Sequence, residues 1–430
     1  MFKVLKKSKK SNARLGLVKT AHGVIETPAF MPDATRGYVK LHDNADLDKI
    51  GTGPMVVNAF HLYLQPGIRL IEKAKGIHGF MGWDKPLVSD SGGFQVFSLV
   101  HENPKMGKIS DDKVVFRSPI NGEKHEFTPE KSIQIQFKLG ADMIICFDDC
   151  PPNDYSRERI ERAVERTVLW AKRCKDEYDS LLSSRAKRSE TGERQNYAHS
   201  PDDEIRGDSR PAARNGRSHP DRLPARPYDP VRGKGKNNRP LLIAVIQGGV
   251  YKEWRKACAD KLKKIGFDGY GYGARPVDSK GKFLDKIIGY TAGQIPENKI
   301  RFALGVGMPE DIIRSVRAGW DLFDCVIPTR EGRHGRLFTW WKNSKKLPLQ
   351  INESNKRSFY RLENIINSKY KADFSPINKL SKISELRLYS KAYLHHLFKA
   401  RDPLGQKIAS LNNLEFFLDL MRQIRNNISI

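Results

Sequence analysis

One pattern recurs along the chain: a short apolar run that stops at an acid, an amide or a glycine. Met55-Val56-Val57 ends in Asn58, Leu87-Val88-Ser89 in Asp90-Ser91-Gly92-Gly93-Phe94-Gln95, and Met143 to Phe147 in Asp148-Asp149-Cys150. Leu241 to Ile246 ends in Gln247-Gly248-Gly249, and Phe267 to Tyr270 in Gly271-Tyr272-Gly273. Phe302-Ala303-Leu304 ends in Gly305-Val306-Gly307, and Leu322-Phe323 in Asp324. Helical patterns follow most of them, over Ser156–Tyr178, Lys252–Ile265 and Pro309–Trp320. Repeated strand-then-helix units with uniformly apolar strands mean a parallel sheet buried on both faces. A doubly wound open sheet and a (β/α)8 barrel both satisfy that. Polar tips spread over many strands favour the barrel, whose chemistry lies on the rim of C-terminal strand ends; an open sheet gathers it at one switch point. The sequence therefore predicts an α/β fold, a TIM-type (β/α)8 barrel over residues 1–341.

Two regions break the pattern. Residues 179–239 are dominated by Ser, Arg, Pro, Gly, Asp and Asn, and offer too little apolar surface to offset the entropy of ordering. They are expected to form a disordered basic and polar insertion, leaving the barrel on the face away from the rim. Residues 342–430 are expected to form a basic helical appendage. Its first part, 342–383, is lysine-rich and irregular, and helices follow over Ser384–Lys399 and Gly405–Asn427, the second with apolar residues from Ile408 to Ile424 at helical spacing.

The formal net charge of +26 points to a polyanionic partner, most often nucleic acid. The five cysteines show no Cys-x-x-Cys pairing, which argues for a reducing compartment and against a disulfide scaffold. The basic N-terminus lacks an apolar signal core, and no run approaches membrane-spanning length, so a cytoplasmic protein is expected.

Asp90, Asp148 and Asp324 are the three acids at strand tips. Near Asp90, Gly92 and Gly93 would let backbone approach a ligand, and Phe94 offers a ring face. Gln247 carries both donors and an acceptor for a heterocycle edge. An acid, an amide and a stacking ring are the means of holding a purine taken out of its stack, and adjacent N–H donors of guanine suit a carboxylate such as Asp148. Asp90 and Asp324 then divide the retaining logic of glycosyl transfer, one attacking the anomeric carbon and the other handling the proton of the base. Arg330, Arg333 and Arg336, interleaved with Gly332 and Gly335, read as a flexible loop gripping phosphates beside the nucleophile. Each acid alone is equally compatible with a structural role, and the arginines with a solvated surface. Three acids could also hold Mg²⁺ for phosphoryl transfer, but no phosphate-binding loop accompanies them.

With these residues assembled, the chain resembles the tRNA-guanine transglycosylases (queuine tRNA-ribosyltransferases). The resemblance rests on Ala21-His22-Gly23 with Thr27-Pro28, Asn58 with His61-Leu62-Tyr63, Ser89–Gln95, Phe147–Cys150, Ile246–Gly248, Ile265–Tyr270, Leu304–Pro309, Phe323–Arg333 and Tyr393–Leu397. It implies exchange of the wobble guanine of tRNAs with G-U-N anticodons for a 7-substituted 7-deazaguanine, either 7-aminomethyl-7-deazaguanine or queuine, through a covalent ribosyl-enzyme. By position, it makes Asp324 the nucleophile and Asp90 the proton acceptor. The base pocket becomes Asp90, Ser91, Gly92, Gly93, Phe94, Asp148, Gln247, Gly273 and Ala274. The tRNA contacts become Gly305, Val306, Gly307, Met308, Pro309, Glu310 and Asp311, with Thr329, Arg330, Glu331, Gly332 and Arg333. A homodimer is also implied, and a non-catalytic tRNA-binding partner subunit of the same fold is the alternative reading.

The sequence departs from the family pattern twice. The positions of the family's structural zinc ligands are occupied by Ser381, Ile383, Leu386 and Asn412, so no zinc is expected, and apolar packing should replace it. After Gly273, the usual Gly-Leu-Ala-Val-Gly reads Ala274-Arg275-Pro276-Val277-Asp278, and Ala274 is expected to require a negative φ.

Overall fold

A computed structural model describes residues 1–153, 155–191, 239–341, 347 and 358–429. Eight parallel strands form one sheet: β1 (Ala29–Pro32), β2 (Met55–Asn58), β3 (Leu87–Asp90), β4 (Met143–Ile145), β5 (Leu241–Ile246), β6 (Gly269–Tyr272), β7 (Ile300–Ala303) and β8 (Leu322–Cys325). Their order is β1-β8-β7-β6-β5-β4-β3-β2. The ends are brought together by a parallel bridge between Asp33 and Val56 and by the Ala34 N–H donating to the Val56 carbonyl at 2.7 Å. The sheet is thus a nearly closed barrel, as the apolar runs predicted.

Alternation along a strand decides what the barrel encloses. One apolar cluster contains Ala29, Met31, Val56, Val88, Met143, Ile145, Leu241, Ile243, Val245, Ile300, Phe302 and Leu322. A second contains the intervening Phe30, Met55, Val57, Leu87, Ile144, Leu242, Ala244, Tyr270, Tyr272 and Phe323 together with helix residues. The first set fills the barrel and the second faces the helices. The same parity carries Asp33, Asn58, Asp90, Gln247, Gly273 and Asp324 inward at the C-terminal ends. The strand expected over Phe267–Tyr270 lies two residues later, because Gly269 must face inward: a Cβ there would sit 2.7 Å from both Ile243 and Ile300.

The opposite mouth is plugged by an antiparallel sheet of Phe2–Lys7, Arg14–Thr20 and Gly23–Thr27, whose Val18 and Ile25 join the barrel interior. Arg14 anchors this plug. Its Nε and Nη2 donate to the two oxygens of Asp321 at 2.8 and 2.6 Å, at the foot of β8, and both side chains are almost fully buried.

Several expectations change. The helix expected to end at Tyr178 runs from Arg157 to Thr191, with Leu181 and Leu182 against the core, so the polar composition from 179 does not end it. The disorder expected for 192–238 lies outside the described residues. The arginine segment is not a loop but the helix Ile327–Arg333. Pro328 sits in its first turn, where a missing N–H costs nothing. Gly332 is there for contact and not for freedom, since a Cβ would lie 2.5 Å from the Ser410 Cα. Beyond it, Arg336–Trp340 pairs antiparallel with Tyr360–Asn364 inside the stretch read as irregular. The helix expected over Ser384–Lys399 is two, Ser384–Leu388 and Lys391–Lys399, the second capped by Ser390. The helix Pro403–Ser429 closes the chain, and its Phe417 meets Phe30 of β1 at 5.1 Å between ring centroids. Among the described residues no helix is long and apolar enough to cross a membrane.

Because Asp321 is the carboxylate partner of a guanidinium only 3% exposed, Asp321→Ala leaves a buried cation behind. Its expected cost is about 3–5 kcal/mol, read as a lower denaturation midpoint in urea.

Candidate active site

Three strand-tip acids share one barrel mouth. Asp90 accepts from Asn58 Nδ2 at 2.8 Å and from the backbone N–H groups of Ser91 and Gly92. Asn58 is itself held by Gln95 Oε1 at 2.9 Å. Asp324 accepts from the Gly305 N–H at 3.2 Å. Asp148 accepts from Gln247 Nε2 at 2.7 Å. Inward parity does not predict Asp148 from β4. The register slips after Ile145, where Phe147 turns outward to stack on Trp170 at 4.8 Å, and this swings Asp148 inward.

Burial raises all three acids, and each feels a neighbouring carboxylate. Asp90 is pushed up to about 6 by burial, with Asp33 adding to it, while its hydrogen bonds pull the other way. Burial pushes Asp148 up to about 7 against its bond from Gln247, with Asp90 and Asp149 adding to it. Burial also pushes Asp324 up to about 7 against its bond from Gly305, with Asp90 and Asp33 adding to it.

The pocket walls follow from close approach. Gly92, at φ 82°, lies against Phe60, where a Cβ would collide with the Phe60 side chain. A Cβ on Gly93 would lie 3.0 Å from Asp148 Oδ1. These glycines let the protein approach itself, not only a ligand as the sequence suggested. Ser91 is buried, and its Oγ accepts from the Gly93 N–H at 3.2 Å. Phe94, 42% exposed, leaves a ring available in the first turn of the helix Gly93–Glu102. Gln247 is fully buried, and among the described residues its Oε1 has no partner, a vacant acceptor beside the Asp148 bond. Any side chain at Gly273 would run into the Gln247 amide. Cys150, pushed up to about 12 by burial and by Asp148, lies against Gln247 and the Ala274 backbone.

Ala274 departs from expectation. It adopts φ +85°, a conformation that glycine takes freely and alanine does not. Asn153 Nδ2 fixes the following turn by donating to the carbonyls of Arg275 and Val277 at 2.8 and 3.0 Å.

The expected RNA-contact residues divide by exposure. Gly305 and Arg330 are exposed, and Met308, Glu331 and Arg333 are half-buried. Val306, Gly307, Pro309, Glu310, Asp311, Thr329 and Gly332 are buried and shape the surface from beneath. Glu310, for instance, accepts from the Tyr360 hydroxyl at 2.6 Å.

Sequence reasoning missed Asp33, which follows β1 at the mouth, accepts from the N–H and hydroxyl of Thr35, and is pushed up by burial. The signal was available: Asp33 is two residues beyond inward-facing Met31.

A family zinc does not fit this chain. Ser381 Oγ donates to Glu415 and accepts from the Ile383 N–H at 2.9 Å, while Glu415 also accepts from the Lys382 N–H at 2.6 Å. Ile383 and Leu386 are core residues, and Asn412 spends its amide on the Phe338 carbonyl at 3.0 Å and on Asn378. Apolar packing therefore accounts for two positions, and a carboxylate that the sequence did not flag organises a third. Elsewhere, His22, His78 and Asp142 converge at the plugged end. The two imidazole rings stack at 3.6 Å and 17°, so their nitrogen lone pairs run side by side and do not meet at one ion. Asp142 is already engaged by His22 Nδ1 at 2.9 Å and by the Leu87 N–H at 2.9 Å, a structural tie.

A family model described as queuine tRNA-ribosyltransferase matches residues 8–195 and 226–430. The chain belongs to this family. A queuine tRNA-ribosyltransferase of Caldanaerobacter subterraneus subsp. tengcongensis is 37% identical over 427 residues, covering 99% of this chain and 93% of the relative. One from Francisella tularensis subsp. novicida is 36% identical over 424 residues, again 99% and 93%. One from Roseiflexus sp. is 36% identical over 433 residues, covering 97% and 93%. The gap in the queuine tRNA-ribosyltransferase match falls within the polar insertion.

Ala274→Gly is expected to raise stability by about 1 kcal/mol, since the strain of a positive φ exceeds the entropy that glycine adds to the unfolded chain. Urea denaturation of the pair of proteins measures it.

Proposed function

We propose that the chain is a pentosyltransferase that exchanges the wobble guanine of G-U-N anticodon tRNAs for a 7-substituted 7-deazaguanine. The carrying observation is geometric: strand parity turns Asp90, Asp324 and Gln247 inward at one barrel mouth, and Asp148 is held there by the Gln247 amide at 2.7 Å.

In this reading Asp324 attacks C1′ of the ribose as a carboxylate. A C1′–Oδ bond forms, the C1′–N9 bond breaks, and guanine leaves, taking up a proton from water. The incoming base then attacks C1′, breaks the ester and gives its N9 proton to the Asp90 carboxylate, which passes it to water and so restores the starting state. Asp148 and Gln247 receive and donate along the base edge, and Phe94 and the Ser91–Gly93 backbone bound its face. Asn58 orients Asp90 through a bond that is itself locked by Gln95. Arg330 and Arg333, on the helix that starts two residues after β8, are assigned to grip the flanking phosphates of an extruded nucleotide. A non-catalytic partner subunit would have no use for three acids whose burial is costly.

The exposed Phe374, Leu380 and Leu388 of the C-terminal region support a homodimer, and five cysteines without a disulfide among the described residues suit a cytoplasmic setting. Mass spectrometry of wobble nucleosides after incubation with each base separates 7-aminomethyl-7-deazaguanine from queuine as the incoming substrate.

Asp324→Asn keeps shape and loses the nucleophile. It is expected to abolish the covalent protein–tRNA adduct on denaturing gels and to slow labelled-guanine exchange by about 10³-fold or more. An adduct that persists in this variant would place the nucleophile elsewhere.

The pH dependence has a defined sign. Asp324 and Asp90 work as carboxylates, and burial raises them to about 7 and about 6, so kcat/KM should fall on the acid side through that range as a coupled titration. The folded chain also keeps these protons to higher pH than the unfolded chain, whose aspartates titrate near ~4. It therefore binds more protons in between, and stability should decline as pH rises from about 4 to about 7 and level off above. Denaturant midpoints across pH read this directly.

A further inference from the structure

Arg255 lies in the first turn of the helix Lys252–Ile265 and is fully buried. No carboxylate pairs with it among the described residues. Its guanidinium donates to three backbone carbonyls: Nη1 to Ile246 at 2.6 Å, Nε to Gly249 at 2.9 Å and Nη2 to Gly273 at 2.9 Å. Its plane rests on the Tyr272 ring, 4.2 Å from the centroid. A Cβ on Gly248 would lie 2.5 Å from the Arg255 backbone nitrogen, so the β5 tip is pressed onto this helix start.

These three carbonyls are not arbitrary. Ile246 and Gly249 bracket Gln247, and Gly273 is the residue against which the Gln247 amide packs. A planar fork of five N–H donors can fix two strand tips at a set separation and angle, which an ammonium or an apolar side chain cannot. Burying a cation without an anion is unfavourable, and fold stability alone would be better served by a neutral residue. We propose that Arg255 is a positioning residue for base recognition: its guanidinium locks the tips of β5 and β6 so that Gln247 presents its free acceptor and its Asp148 bond to the heterocycle. This rests on the base-exchange reading of the pocket. It predicts that Arg255 governs the affinity for the free base and leaves tRNA binding alone.

The test compares Arg255→Lys and Arg255→Met with the wild-type chain. Exchange of labelled guanine into tRNA by the wild type is measured first, and its absence defeats the base-exchange reading itself. Given exchange, the expected result is a KM for guanine raised about tenfold in Arg255→Lys and about a hundredfold in Arg255→Met, with kcat changed far less and the KM for tRNA unchanged. Lysine should rescue in part because it reaches some of the carbonyls. Either folded variant keeping the wild-type KM for guanine, or raising the KM for tRNA by the same factor, overturns the proposal. So does loss of the folded state in both variants by circular dichroism, since the guanidinium would then be an element of the fold and not of the pocket.

Discussion

Closing eight short strands into a barrel sends every second side chain into one shared interior, and at the C-terminal rim that interior becomes a single cavity. The parity is strict where the strands are regular. Val88 commits Asp90, Leu322 commits Asp324, Val245 commits Gln247, and Met31 commits Asp33. None of these acids is where it is because of a local preference of its own; each is two residues beyond an apolar side chain that the barrel had to bury. Burying carboxylates in this way is unfavourable, and the raised protonation of Asp90, Asp148 and Asp324 registers that cost, with neighbouring carboxylates adding to it. For Asp90 and Asp324, displaced acid titration is therefore a consequence of the same alternation that builds the core.

The two ends of the barrel resolve buried charge in opposite ways. At the plugged end Asp142 is buried too, yet the hydrogen bonds from His22 and His78 outweigh burial and hold it well below the usual carboxylate range. Asp321 there is gripped by both arms of Arg14. At the open end Arg333 acts on Asp33, and among the described residues no guanidinium bonds Asp90, Asp148 or Asp324. The plugged end is satisfied internally and ties the N-terminal sheet to the barrel. The open end keeps acceptors unspent, which is the condition for taking a ligand.

How far the sequence disclosed this depends on whether the determining contact was local. Strand runs and their polar tips were legible because burial on two faces leaves an uninterrupted apolar signature, and the acids stood next to it. Asp33 was not, because a four-residue strand bounded by Pro28 and Pro32 looks like a connection until its neighbours are known. Asp148 was placed correctly on the rim for a reason that parity alone denies, the outward turn of Phe147 onto Trp170. Ala274 shows the converse error. Its residue type argues for a negative φ, but the turn pinned by Asn153 overrides the local preference. Glu415 and Arg255 could not be read at all, since their roles consist of contacts with backbone groups remote in sequence or hidden in a tip.

The same distinction explains how the arginine helix stays in register although the C-terminal region carries no zinc ligands. What holds Ile327–Arg333 is the far side of the helix Pro403–Ser429. Asn413 donates to the carbonyls of Pro328 and Arg336 at 3.0 and 2.8 Å and accepts from the Phe338 N–H at 2.9 Å. Ser410 Oγ donates to the Thr329 carbonyl at 3.2 Å, across the close approach that Gly332 permits. Those bonds satisfy backbone groups on both flanks of the helix, so its orientation relative to Asp324 is fixed by neutral amide and hydroxyl contacts. Ser381 and Glu415 tie the loop before Ser384–Leu388 to the same closing helix by a separate set. Replacing metal ligands there changes how that loop is held, while the bonds that aim the arginines run through other residues.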